Sequence, residues 1–222
     1  SAILDAEIAQ DQIVLDSKFH SPLSAAVECC LTLADYQNQN WITQDQAKLL
    51  KKAIAERFNL LIAGSTGSGK TTFANALLNE LKDSKDRILI LEDLPELQIS
   101  SADHVTLRTS AEISMRQLVK GSLRMRPDRI IIGEVRDGAA LDLLKAWNTG
   151  HPGGLCTLHA NNANSVVSRL EDLMLEVINQ VPPRLIHEAV DIILFIEKEG
   201  NRNYLLKEIK FFSEKAKKFF QG

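Results

Sequence analysis

The chain has 222 residues, of which 45% are hydrophobic, 25% charged and 5% aromatic, and its net charge is −3. This composition supplies the core of one large globular domain, and its acidic balance and few aromatics argue against direct nucleic-acid binding. No apolar run approaches the length of a membrane span; the longest, such as residues 192–196, are strand-sized.

Residues 1–40 follow no regular rhythm and read as the end of an N-terminal domain plus a linker. Residues 41–222 alternate α and β patterns as one domain. A helix is predicted over 43–58, with Thr43 as N-cap and Ala47, Leu50, Ala53 and Ile54 on one face. The short buried run 59–64 predicts a strand, and a helix follows from Lys70 to about Lys82. Strands are predicted at 87–93, 104–108 and 129–134, with helices at about 114–124 and 138–147. Then come a strand at 154–160, a helix at about 165–177, a short helix after Pro182 and Pro183, and a hairpin over 191–212 turning near Gly200. Short apolar strands between helices predict a mostly parallel central sheet covered on both faces. Cys29 and Cys30 are adjacent and Cys156 is distant, a spacing that fits small buried thiols in a reducing compartment.

Residues 64–71, GSTGSGKT, match the phosphate-loop pattern in full and lie between a predicted strand and a predicted helix. Gly64, Gly67 and Gly69 permit a backbone nest whose N–H groups, with those of Ser65, Thr66, Ser68 and Thr72, point at a phosphate chain. The helix adds the positive end of its dipole. Lys70 reaches the β- and γ-phosphates, and the Thr71 hydroxyl is the predicted Mg²⁺ ligand. The expected cofactors are therefore ATP and Mg²⁺, although no base-reading group settles ATP against GTP.

Hydrolysis needs a carboxylate that orients and polarises a water. Glu134 ends a strand of three isoleucines, at the ligand edge of an open α/β sheet. The usual acidic pair at such a strand end is Asp then Glu, but here the first position is Gly133. Thr71 with waters or another carboxylate must then hold the metal. Glu92 and Asp93 end a second buried strand, with Glu96 within one turn. Alone they read as an ordinary acidic turn; beside a phosphate loop they point to metal or water handling.

Residues 150–162, GHPGGLCTLHANN, concentrate groups able to handle protons or phosphate oxygens. Strand alternation puts Thr157 and His159 on one face and Cys156 and Leu158 on the other. That separation weighs against a zinc site built from His151, Cys156 and His159. His151 reads equally as a catalytic group or as a structural one in a Gly-rich turn.

The phosphate loop, then LED..E, then LRMRPDRIIIGEVR, then ALDLLKAWNTGHPGGLCTLHANN, occur in an order that resembles the secretion-ATPase superfamily of bacterial type II and type IV systems. The resemblance is strongest to its TrbB-type conjugative transfer members and covers about residues 31–210. It implies a RecA-like P-loop ATPase domain, a preceding N-terminal domain, homohexameric rings, and cytoplasmic work beside other secretion components at the inner membrane. It assigns Glu92 and Asp93 to an aspartate box, Glu134 to the catalytic glutamate and His159 to a histidine box. His159 would sense the γ-phosphate by a hydrogen bond lost on cleavage. Arg108 and Arg124 resemble positions near the nucleotide or the subunit interface. Arg136 stands beside Asp137, where a Gly is common, which puts its role in doubt. The expected function is an ATP-hydrolysing motor. An assembly switch that binds ATP with little turnover, or a RecA-like nucleic-acid translocase, are the alternatives.

Overall fold

The computed structural model describes residues 31–199 and 203–221. Cys29, Cys30 and the segment before residue 31 lie outside them, as does the hairpin turn at Gly200.

Short strands of four or five residues build the parallel part of the sheet: β1 (Leu60–Gly64), β2 (Ile88–Glu92), β3 (His104–Arg108), β4 (Arg129–Ile132) and β5 (Leu155–His159). The chain ends in β6 (Ile192–Glu199), β7 (Asn203–Phe211) and helix α8 (Glu214–Gln221). The helices between and before them are α1 (Leu33–Asn38), α2 (Gln44–Ala55), α3 (Lys70–Leu78), α4 (Met115–Ser122), α5 (Ala139–Asn148), α6 (Ser165–Leu175) and α7 (Leu185–Ala189). The strands form one sheet in the order β3-β2-β4-β5-β1-β6-β7. All pairs are parallel except β6 with β7, so the expected mostly parallel α/β sheet is observed.

Because strand side chains alternate, each face of the sheet buries its own core. Leu61, Ala63, Ile130, Ile132, Cys156 and Leu158 pack beneath α4 to α7. Leu60, Ile62, Ile88, Ile90, Leu155 and Leu194 pack beneath α1 to α3 and α8.

Helix starts follow local chemistry. Thr43 and Gln46 form a reciprocal cap on α2, and Ser114 and Gln117 do the same on α4. The ends are shorter than the periodicity suggested. α2 stops at Ala55 because Arg57 turns left-handed, with φ 56°. α3 tightens after Leu78 into a 3-10 turn over 79–81.

Two elements were not expected. Residues 33–38, inside the segment read as linker, form α1, whose Leu33 and Tyr36 are buried in the second core. The Tyr36 and Phe73 rings lie 5.0 Å apart, so residues 33–38 pack on the body built around the sheet. Helix α8 is started by Ser213. Its hydroxyl donates to Asp191 at 2.6 Å and accepts from the Ala216 N–H at 3.1 Å.

The turn before β5 is built around two glycines. Gly153 has φ +81°, and its carbonyl accepts from Arg129. Arg129 also binds Asp86, which pairs with Arg57 in turn. At Gly154 a Cβ would lie 2.0 Å from Trp147 Nε1, whose indole N–H donates to Ile130 O at 3.1 Å. We expect Gly154→Ala to destabilise the fold by about 1–3 kcal/mol, because a packed indole has to move. Urea unfolding would measure it; unchanged stability would mean that the Trp147 contact is dispensable.

Candidate nucleotide site

The sheet order brings the C-terminal ends of β2, β4, β5 and β1 side by side. This is the edge at which open α/β sheets bind ligands. β1 ends at Gly64, which pairs in register with His159 at the end of β5. A Cβ on Gly64 would meet Ile196 O at 2.4 Å, so the strand can leave the sheet only as glycine. Gly67 and Gly69 are left-handed, with φ +71° and +83°. They curl the loop so that Ser65, Thr66 and Gly67 are exposed while Ser68 packs beneath. α3 begins at Lys70, with Thr71 half-buried and Thr72 exposed in its first turn. Loop curvature, glycine positions and helix N-terminus together suit a phosphate chain.

Lys70 is buried. Its amine donates to Gly64 O at 3.1 Å and Ser65 O at 2.8 Å, and lies 3.3 Å from His159 Nδ1. Burial lowers the Lys70 pKa, and the charge of Glu134 partly restores it. On the far side of the imidazole, Nε2 lies 2.8 Å from Glu134 Oε1. The other Glu134 oxygen accepts from Arg136 at 2.8 Å. A continuous polar line thus runs Lys70–His159–Glu134–Arg136. The ammonium can only donate, so Nδ1 is the acceptor and Nε2 carries the proton toward Glu134. Burial first, then the Lys70 charge, hold the His159 pKa below its ordinary value against the pull of Glu134. The ring is therefore neutral at neutral pH.

The other acids divide their tasks. Glu92 turns inward, and its Oε1 accepts from the N–H groups of Glu96 at 3.0 Å and Leu97 at 2.7 Å. Burial raises its pKa, while those N–H groups and Arg108, opposite it in register on β3, lower it. Asp93 accepts from the Thr109 hydroxyl at 2.9 Å. A Cβ on Gly133 would lie 3.4 Å from Glu92 Cγ, so the place usually held by an aspartate faces the Glu92 side chain. Thr71 meets neither Glu92 nor Asp93; its hydroxyl donates to Glu96 at 3.0 Å.

Of the sequence-selected residues, the structure gathers the phosphate loop, His159, Glu134, Arg136, Glu92 and Arg108 at one edge. Asp93 shares a neighbouring cleft with Thr109, Ser114, Glu134 and Arg136. Arg124 is not brought there. It is exposed in the 3-10 turn that precedes β4, at the opposite edge. The stretch 150–162 is split by β5. His151 and the two glycines sit at its start, roughly 16 Å of strand from His159. Cys156 is buried in the core beneath α4 to α7, away from the face that carries His159. Thr157 is buried, and its hydroxyl donates to Gly133 O at 2.7 Å, so it braces the Gly133–Glu134 turn rather than facing the loop. Sequence reasoning missed Asn75, whose side chain holds Glu96 O at 3.0 Å and the Gln98 N–H at 2.8 Å. An amide one helical turn after Thr71 is the signal that could have found it.

Residues 27–202 match the family model described as type II/IV secretion system protein. The chain belongs to that family. It is 50% identical to the conjugal transfer protein TrbB of Rhizobium radiobacter over 172 residues, covering 77% of this chain and 53% of that protein. It is 37% identical to the type IV secretion system protein VirB11 of Bartonella quintana over 147 residues, covering 64% of this chain and 40% of the other. The crystal structure of the VirB11 ATPase from the Brucella suis type IV secretion system, in complex with sulphate, superposes with a TM-score of 0.68 at 27% identity. That likeness covers 82% of this chain and 64% of that one. This family member therefore has the RecA-like secretion-ATPase fold, and it spans about half the length of the curated relatives it matches. Among the described residues, no helix is long and apolar enough to cross a membrane.

Proposed function

We propose that this chain is the ATPase domain of a hexameric motor that drives conjugative transfer or type IV secretion, working in the cytoplasm against the inner membrane. The observation that carries the reading is the polar line from Lys70 through His159 to Glu134, which starts inside a phosphate loop. In this reading the backbone N–H groups of residues 65–72 and the Lys70 amine bind the triphosphate. The Thr71 hydroxyl, 3.0 Å from the Glu96 carboxylate, would hold Mg²⁺, which would supply positive charge against the phosphates. Glu134, 2.8 Å from the His159 imidazole beside the phosphate loop, orients the attacking water and takes its proton. Arg136 and His159 hold the Glu134 carboxylate in place. Glu92 fixes the 96–97 backbone, and Asp93 ties the end of β2 to Thr109. Arg108 supports Glu92, and Arg124 reaches a nucleotide only across a ring interface. In this reading residues 1–40 are the end of an N-terminal domain and its linker, with 33–38 docked on the ATPase domain. The expected partners are five further copies and the membrane-bound secretion machinery.

The same line supports a sensing role for His159. A γ-phosphate that draws Lys70 toward itself takes the donor away from Nδ1, and the imidazole reports that change to Glu134. His159→Ala is expected to lower kcat by about 10²-fold, with a change in KM within about threefold, as for a group that acts in the transition state. The pH dependence has a definite sign. The folded state depresses the His159 pKa, so it favours the neutral ring. That contribution is complete above the ordinary histidine pKa of about 6.5 and is lost as pH falls through it toward the folded value. Turnover should therefore show an acid limb below pH ~6.5 that is absent from His159→Ala. A raised KM at unchanged kcat would make His159 a plain binding residue.

The assembly itself is tested by electron microscopy of the protein with ATP. Six-fold rings are expected; particles that stay monomeric at every concentration contradict the motor reading.

A further inference from the structure

We propose that the joined outer faces of α2 and α8 form a docking surface for an anionic phospholipid bilayer, with Phe219 entering the headgroup layer among Lys52, Lys215 and Lys218. The proposal rests on the reading that the motor works against the inner membrane, and goes beyond it by naming the surface that makes the contact.

Packing builds the surface. In α8, Ala216 is buried, and the Phe220 ring lies 5.2 Å from Phe58 and 5.1 Å from Phe211. That leaves Lys215, Lys218 and Phe219, three and four residues apart, on the exposed face of the helix. Phe219 is 40% exposed, and no other phenylalanine among the described residues is exposed. Its ring lies 5.2 Å from Phe58 and 4.5 Å from the Lys52 amine of α2. The Lys215 amine lies 4.4 Å over the Phe58 ring. Two helices distant in sequence thus present one face, in which amines surround an outward ring. Phe58 precedes β1, so this face lies at the start of that strand, away from the phosphate loop at its other end. A bilayer docked there leaves the nucleotide site uncovered.

Charge identifies the occupant. α2 and α8 hold six lysines against two acids, in a chain whose net charge is −3. Lys51 and Lys217 are taken up by Glu80 and Glu214, and Lys48 lies 3.9 Å from Asp45. Lys52, Lys215 and Lys218 form no ion pair with a carboxylate among the described residues, and Glu56, one turn after Lys52, borders them. A lysine close to an anionic leaflet tightens binding by about fivefold. An apolar side chain pushed between the headgroups adds its own burial. Nucleic acid also takes lysines and aromatic rings, but it stacks its bases on open ring faces in succession. Here Lys52 covers a face of the one outward ring, whereas a bilayer asks only for the ring edge. Helix α8 lies past residue 202, where the family match ends, so that match does not supply this surface.

The test is binding of the whole chain to lipid vesicles, titrated and separated by flotation. Vesicles of equal parts phosphatidylglycerol and phosphatidylcholine should carry the protein, and vesicles of phosphatidylcholine alone should not. Raised salt should release it. Lys215→Gln combined with Lys218→Gln should weaken binding by about 25-fold, two steps of about fivefold. Lys52→Gln, on the other helix, should weaken it by about fivefold. Phe219→Gln should weaken it by about three- to eightfold, the worth of the part of the ring that is exposed. Phosphate release without vesicles should match the wild type in every variant, since none of these residues touches the nucleotide site; it also shows that the variants fold. Lysine variants that bind anionic vesicles as tightly as the wild type overturn the surface, as does a wild type that binds both kinds of vesicle alike or neither. Binding to single-stranded DNA in place of vesicles, lost in the lysine variants, overturns it too and makes the face a nucleic-acid contact. A wild type that docks on anionic vesicles but releases no phosphate overturns the motor reading and leaves the surface standing.

Discussion

Lys70→Ala is expected to abolish turnover and to weaken ATP binding by about 10- to 10²-fold, the scale of one or two charge-assisted hydrogen bonds. The ammonium sits between the loop carbonyls of Gly64 and Ser65 and the His159 ring. In the proposed nucleotide complex this amine binds the outer phosphates. Alanine removes the only lysine in the loop and also disconnects His159 from it. Turnover should fall further than affinity, because a donor aimed at developing charge is worth about 10²–10³-fold in rate. Equilibrium binding of a fluorescent ATP analogue, with circular dichroism as a control for folding, measures the first effect. A folded variant that binds and hydrolyses ATP normally would remove the phosphate loop from the site.

Glu134→Gln separates binding from chemistry. Glutamine keeps the shape and can still accept from His159 Nε2–H, but it cannot take a proton from water. Turnover should fall by about 10²–10⁴-fold, the contribution of a positioned general base, while ATP affinity stays within a few-fold. The substitution also removes the charge that now faces both His159 and Arg136. The His159 pKa should drop further, since Glu134 is the group that raises it. Imidazole titration by nuclear magnetic resonance reads that shift separately from activity. Loss of nucleotide binding by a well-folded Glu134→Gln would instead give this residue a metal-holding role.

What was legible in the sequence is what local chemistry decides. The phosphate loop is encoded by glycines at left-handed positions between a buried strand and a helix, all within eight residues. The parallel sheet is encoded by short apolar runs such as Ile130–Ile132, separated by capped helices. Pairing of His159 with Gly64 follows from a sheet that sets β5 beside β1, and the resemblance to secretion ATPases pointed to both residues. What was not legible depends on packing between distant segments. The fate of GHPGG is decided by the Trp147 indole lying against Gly154 and by Arg129 reaching Gly153, contacts invisible from residues 150–154 alone. α1 was hidden because its burial comes from Phe73 and the rest of the second core. α8 follows a hairpin without a sequence break, and its start depends on Asp191 binding Ser213. Glu96 was read with Glu92 and Asp93 as a group for metal or water handling, without a partner of its own. Its meeting with Thr71 requires Asn75 and Glu92 to act from two different elements.

In the proposed motor this site hydrolyses ATP rather than merely holding it. The direct measurement is steady-state phosphate release from saturating Mg·ATP by the assembled wild-type protein, with Glu134→Gln run in parallel. Sustained multiple turnovers by the wild type, reduced to near background in a variant that still binds ATP, are the predicted result. A wild-type ring that binds ATP tightly and releases no more than one phosphate per chain would contradict the motor and leave an assembly switch.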